Sequence, residues 1–203
     1  MSQVAGPYGL RVLKKWGEQY MSGGFHAYPL TANNATGFFF GDVVGLQAGQ
    51  PVVAAASPAA GVPGVIGVFQ GASWMDPVRG FVNSQYLPAS IITAGATNVT
   101  VKVVDSPFVE MRVQADGPIA LGQIGMNAAL GNFGNGSTVT GDSKVNLASA
   151  SLAVTATLAV KIVDYVIDAA PSPGAGSQPG DAFTDVIVIW NFGIHRFLNA
   201  TGG

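Results

Sequence analysis

The segment Val99-Thr100-Val101-Lys102-Val103-Val104-Asp105-Ser106-Pro107-Phe108-Val109-Glu110-Met111-Arg112-Val113-Gln114 alternates with a period of two on both sides of a turn. Val109, Met111 and Val113 fall on one face and Glu110, Arg112 and Gln114 on the other, the pattern of a strand with one covered face. Asp105-Ser106-Pro107 supplies turn chemistry and removes a backbone donor, so the two halves read as a half-buried antiparallel pair.

The same grammar extends in both directions. Toward the N-terminus, residues 38–46, 51–56, 65–69 and 81–87 are short apolar runs punctuated by Gly, Pro, Asn and Asp. That spacing belongs to a β-sandwich or barrel. Toward the C-terminus, Ala150, Leu152, Val154, Ala156, Leu158, Val160 and Ile162 alternate with Ser, Ala, Thr and Lys, which predicts one long strand over 149–162. The continuous apolar run Val186 to Trp190 predicts a central or fully covered strand. The Gly- and Asn-rich stretch 114–145 reads as an ordered excursion or a flexible loop. The chain shows no repeat at a fixed period. The expected fold is all-β, an antiparallel β-barrel or sandwich with an extended N-terminal arm. The arm covers residues 1–34 and a β-rich domain covers 35–203, as one unit or as two small fused β subdomains divided near residue 95.

Within the arm, Gly-Pro, Gly-Gly and Tyr-Pro breaks separate Tyr8, Trp16, Tyr20, Phe25 and Tyr28. Such aromatics need a surface to cover them, either the chain's own β domain or a neighbour's. Leu10, Leu13, Trp16 and Tyr20 recur at near-helical spacing, predicting a short helix over 10–20 that Gly17 weakens. Arg11, Lys14 and Lys15 lie beside these aromatics. Tyr8, Arg11, Lys14, Lys15, Trp16 and Tyr20 are therefore the candidate partner-binding residues.

Composition points to assembly. The chain has 203 residues, 48% of them hydrophobic and 10% charged, against about 25% charged in an ordinary soluble domain. So few charges leave a surface that is neutral or hidden against other subunits. Nine basic and eleven acidic residues give a net charge of −2, no global field for nucleic acid or an anionic membrane. Residues 147–160 are diluted by Ser and Thr and followed by Lys161 and Asp164, short of the roughly 20 apolar residues of a spanning helix. Without cysteine there is neither a disulfide framework nor a thiolate metal site. The opening residues do not read as a secretory signal, so the chain is expected to fold in the cytoplasm where it is made.

Catalytic patterns are weak. His26 and His195 are far apart and unlike in setting, and no ligand pair at helical or hairpin spacing accompanies them. A hydrolase built on His195 as base and Asp185 as its orienter lacks the G-x-S-x-G elbow that singles out a nucleophile. Asp164, Asp168, Asp181 and Asp185 read as turn and strand-end residues rather than paired catalytic carboxylates. Gly134 and Gly136 lack the Lys-Ser/Thr of a phosphate loop, and Asp142 with Asn135 and Ser137 lacks the acidic spacing of a calcium loop. The reading is of a protein with no catalytic residues, no metal and no cofactor.

The order of motifs resembles a known group. Thr36-Gly37-Phe38-Phe39-Phe40-Gly41-Asp42-Val43-Val44, then Val65-Ile66-Gly67-Val68-Phe69-Gln70-Gly71-Ala72-Ser73-Trp74, then Phe81-Val82-Asn83-Ser84-Gln85-Tyr86, is similar to tailed-phage capsid decoration (cement) proteins. Phe108 to Gly117, Ile124-Gly125, Ser143 to Leu147 and Gly180 to Val188 continue the likeness, which covers most of the chain from Thr36 to Arg196. The resemblance implies a β-barrel-like virion protein on the outside of the phage major capsid protein shell, made in the host cytoplasm and acting as a homotrimer where capsomers meet. The competing expectation is a carbohydrate-binding β domain for host adhesion, with Trp74, Tyr86 and Trp190 as stacking platforms.

Overall fold

The computed structural model describes residues 5–17, 24–58, 64–166 and 178–198. Among them the regular structure is strand, apart from two short 3-10 turns. The first half carries β1 (Arg11–Lys15), β2 (His26–Pro29), β3 (Phe38–Phe39), β4 (Val43–Gln47), β5 (Gln50–Val53), β6 (Val65–Asp76), β7 (Gly80–Ser84), β8 (Tyr86–Leu87) and β9 (Thr97–Val104). The second half carries β10 (Val109–Gln114), β11 (Asn127–Gly131), β12 (Asn146–Ala153), β13 (Val160–Tyr165) and β14 (Asp185–Trp190).

Two antiparallel sheets dominate. Sheet I has the order β1-β10-β14-β13-β11-β12, and sheet II the order β2-β9-β6-β4-β5 with β7 also on β6. A short β3-β8 pair stands beside them. Among the described residues no sheet closes on itself, so the architecture is sandwich-like rather than a closed barrel.

Sheet II explains why its strands read as continuous apolar runs. Val43, Val65, Val68 and Val104 join one buried cluster with Met111, Val113, Val188 and Trp190 of sheet I. Their neighbours Val44, Ile66, Phe69 and Val103 join a second cluster with Phe38, Trp74 and Leu87. A strand covered on both faces has no polar face to display. β14 is likewise central, between β10 and β13.

Three expectations are corrected. The stretch Val99 to Gln114 holds two strands, but they do not pair with each other. β9 lies between β2 and β6 in sheet II, β10 lies between β1 and β14 in sheet I, and Asp105 to Phe108 carries the chain from one sheet to the other. Within the span 10–20 expected to be helical, Arg11–Lys15 form the edge strand β1, bulged between Val12 and Lys14, and residues 18–20 lie outside the described residues. β1 pairs with β10 and is bounded by Gly9 and Gly17, both at positive φ. Tertiary pairing outweighs a marginal helical spacing. The expected long strand over 149–162 is broken into β12 and β13, which both flank β11. The intervening corner exposes Val154, and the side-chain amides of Asn127 and Asn191 bind its carbonyls at Thr155, Ala156 and Leu158.

Within the N-terminal stretch, strands β1 and β2 are edge strands of sheets I and II respectively.

Candidate interaction surface

The first part of the arm is tied to its own domain. Gly6 N donates to Gln114 Oε1 at 2.9 Å. Tyr8 OH donates to Asp185 Oδ1 at 2.9 Å and accepts from Arg112 Nε at 2.8 Å, while Arg112 Nη2 donates to Asp185 Oδ2 at 2.6 Å. Burial, with the Asp185 charge beside it, pushes the Tyr8 phenol well above its ordinary range, so the hydroxyl keeps its proton. Arg11 Nη2 meets Asp142 Oδ1 at 2.7 Å, and its guanidinium covers the Phe40 ring at 4.5 Å. Lys14 Nζ reaches Glu110 at 3.6 Å. Tyr8 and Arg11 thus have internal partners, Lys15 pairs by backbone with Val109, and Tyr20 lies outside the described residues.

Trp16 differs from these. Its backbone N–H holds Phe108 O at 2.7 Å, but its side chain is 55% exposed. Around it Pro107, Phe108, Phe192 and Leu198 rim a hollow of about 380 Å³ floored by Ile189 and Trp190. Phe192 is 85% exposed. Lys161 is the lining's one cation, and no carboxylate lines it among the described residues. Three chain segments build this apolar end: the exit of β1, the entry to β10 and the turn after β14. Asn191 fixes that turn, donating to two loop carbonyls and accepting from Phe192 N at 2.9 Å. Sequence reasoning singled out Trp16 for exposure to a partner but did not single out Phe108 or Phe192, which line the same hollow. The only signal for Phe192 was an aromatic beside the Asn191 and Gly193 turn residues, after a finished strand.

Of the residues considered for chemistry, His195 borders this hollow from the buried side. His195 is buried, its Nε2 donates to Ile66 O at 2.9 Å and its Nδ1 accepts from Phe197 N at 3.3 Å. Burial lowers its pKa, and with both ring nitrogens engaged it is not oriented by Asp185. Asp164 and Asp181 accept backbone N–H groups of Tyr165 and Gln178, and Asp168 lies outside the described residues. His26 and Tyr28 both contact Asp105. Among the described residues no group of three or more His, Cys, Asp or Glu is placed to hold a metal ion. Of the three stacking platforms, Trp74 and Trp190 are core residues and Tyr86 stacks on Phe39 with ring centroids 4.8 Å apart.

Asp42 has no exposed surface, and its carboxylate joins the turn after β3 to the segment before β12. Ser143 Oγ donates to Oδ1 at 2.5 Å and Phe39 N to Oδ2 at 2.8 Å. Burial pushes its pKa up to about 6 against the opposing pull of those two hydrogen bonds.

No protein-family model matches this chain, and no curated protein or solved structure does either.

Proposed function

We propose that this protein is a non-enzymatic structural component of a tailed-phage virion, a decoration protein that binds the outside of the major capsid protein shell and stabilises the head as a homotrimer. The observation that carries the reading is the apolar end formed by Trp16, Phe108, Phe192 and Leu198. Covering an aromatic side chain of this size contributes about 1.5–3 kcal/mol before entropic costs. A lattice that presents many equivalent sites multiplies weak contacts of this kind through effective concentration. The low charge supports the same role, because 10% charged residues leave little like-charge repulsion between closely packed copies. The motif order adds support, since the segments that carry the likeness to decoration proteins form β3, β4, β6, β7, β8, β10 and β14. Attachment needs buried interface rather than a reaction centre.

The test is light scattering of the purified protein followed by sedimentation with empty phage heads. A trimer that pellets with heads at fixed stoichiometry, and a Phe192→Ser variant that stays in the supernatant, is the expected result. A wild-type monomer that never pellets removes the proposal.

A further inference from the structure

The partner of β6 changes part-way along one edge. β4 pairs with it as far as Val68, and β7 pairs with it from Ala72 onward. On the opposite edge the register against β9 slips between Phe69 and Gly71, which leaves Gln70 as the extra residue of a bulge. Gly71 takes φ +142, and a Cβ there would come within 3.0 Å of Ser84 O, so this position needs glycine. Bulges re-aim side chains, and Gln70 lines a cleft of about 540 Å³, within the usual size range of small-molecule sites. Its Nε2 is buried with no hydrogen-bond partner. Four other buried polar atoms among the described residues, Asn34 Oδ1, Trp74 Nε1, Asn127 Oδ1 and Trp190 Nε1, share that state, but of the five residues only Gln70 lines this cleft, where an entering acceptor can meet its amide.

The rest of the lining limits the chemistry of that acceptor. Asn83 and Gln85 add amides that both donate and accept, Phe25 and Phe40 add aromatic rings, and Lys102 adds an ammonium group. Lys102 Nζ lies 5.6 Å from the Phe25 ring centroid and donates to the neutral Asn83 Oδ1 at 2.9 Å. Among the described residues it has no carboxylate partner, and no carboxylate lines the cleft. Aromatic rings suit the C–H face of a sugar, amides suit its hydroxyls, and a cation without a counter-charge suits a carboxylate.

We infer that this cleft binds an acidic saccharide of the uronic acid class, with the sugar carboxylate at Lys102 and a ring hydroxyl or ring oxygen at Gln70. The site shares no residue with the apolar end, so failure of head binding leaves it standing, and its own failure leaves the capsid proposal standing.

The experiment titrates the full chain with glucuronate, galacturonate and glucose, by calorimetry and by backbone amide shift mapping. The expected result is saturable millimolar binding of at least one uronate, with shifts centred on Gly71 and Asn83 and an affinity about fivefold above that for glucose. Lys102→Met should remove that preference, and Gln70→Glu, which sets a second negative charge in the cleft, should abolish uronate binding. Unchanged melting temperatures for both variants exclude misfolding as the cause. A galacturonate oligomer that binds more tightly than the monomer identifies a polysaccharide source, and equal affinity identifies the free sugar. Absence of saturable uronate binding, equal binding of glucose, or binding that survives both substitutions overturns the inference.

Discussion

Arg112 Nη2 lies 2.6 Å from Asp185 Oδ2, a charged link between the adjacent strands β10 and β14 that Tyr8 closes from the arm. The Asp185 side chain is almost fully buried, whereas Arg112 keeps its edge toward solvent. The arrangement satisfies a carboxylate that sheet I could not otherwise enclose, and it also fixes the first part of the arm.

Tyr8→Phe tests that arrangement. It removes one hydroxyl that both donates to Asp185 and accepts from Arg112, and it leaves the ring in place. The expected loss is about 1–2 kcal/mol in urea unfolding, with faster hydrogen exchange of the Gly6 amide. An unchanged midpoint would mean that the Tyr8 hydroxyl contributes nothing to the stability of sheet I.

Asp42 predicts a pH dependence of definite sign. Its folded pKa is raised to about 6 from 3.8, so the folded state binds this proton more readily than the unfolded chain. Its contribution is fully present below 3.8 and is lost as pH rises through about 6. Asp42→Asn mimics the protonated form at every pH. Its stability relative to wild type should be greatest near neutrality and fall by on the order of 2–3 kcal/mol toward about pH 4. Urea midpoints of the two proteins across that range make the measurement, and a constant difference refutes the assignment.

The sequence made β10 and β14 legible because each obeys a simple rule, alternation for one and an unbroken apolar run for the other. β11 escaped because Asn127-Ala128-Ala129-Leu130-Gly131 has neither β-branched residues nor alternation, and only its neighbours β12 and β13 make it a strand. The corner over Val154 to Ala159 escaped for the opposite reason, since period-two alternation runs straight through it. Arg11 to Lys15 read as helical because a bulge disturbs strand periodicity. The sites were less visible still. The apolar end joins residues more than ninety positions apart, as Trp16 and Phe108 are, and the cleft depends on a slip in register at Gln70. Gly67 and Gly71 inside an apolar run were the one trace of that slip.

Gly67 supplies a stringent check of the β6-β9 contact. A Cβ built there would fall 2.0 Å from Val104 O, a backbone atom that cannot move without displacing β9. Gly67→Ala should cost more than about 3 kcal/mol or prevent soluble folding. Gly80→Ala, with nothing within 4 Å of the added methyl, bears only the positive-φ strain, about 1 kcal/mol. Thermal melts of the pair separate close packing from backbone strain, and equal losses would contradict the close approach of β6 to β9.

Trp16 and Phe192 separate attachment from folding. Both side chains are largely exposed, so in the isolated protein neither forms much of the core. Trp16→Ala and Phe192→Ser should each change stability by less than about 0.5–1 kcal/mol. In a buried interface, by contrast, loss of an aromatic anchor typically costs about 2 kcal/mol or more, a reduction in affinity of roughly thirtyfold. Melting temperature of the free protein and retention on heads are therefore expected to separate, the first nearly constant and the second strongly reduced. Phe81→Ser is the control, because Phe81 is also exposed but belongs to β7 of sheet II and does not line the apolar hollow. If Phe81→Ser weakens retention as much as Phe192→Ser does, attachment follows general surface hydrophobicity and the apolar end loses its special role. If Trp16→Ala lowers the melting temperature as much as it lowers retention, Trp16 acts through the fold rather than through contact with the shell.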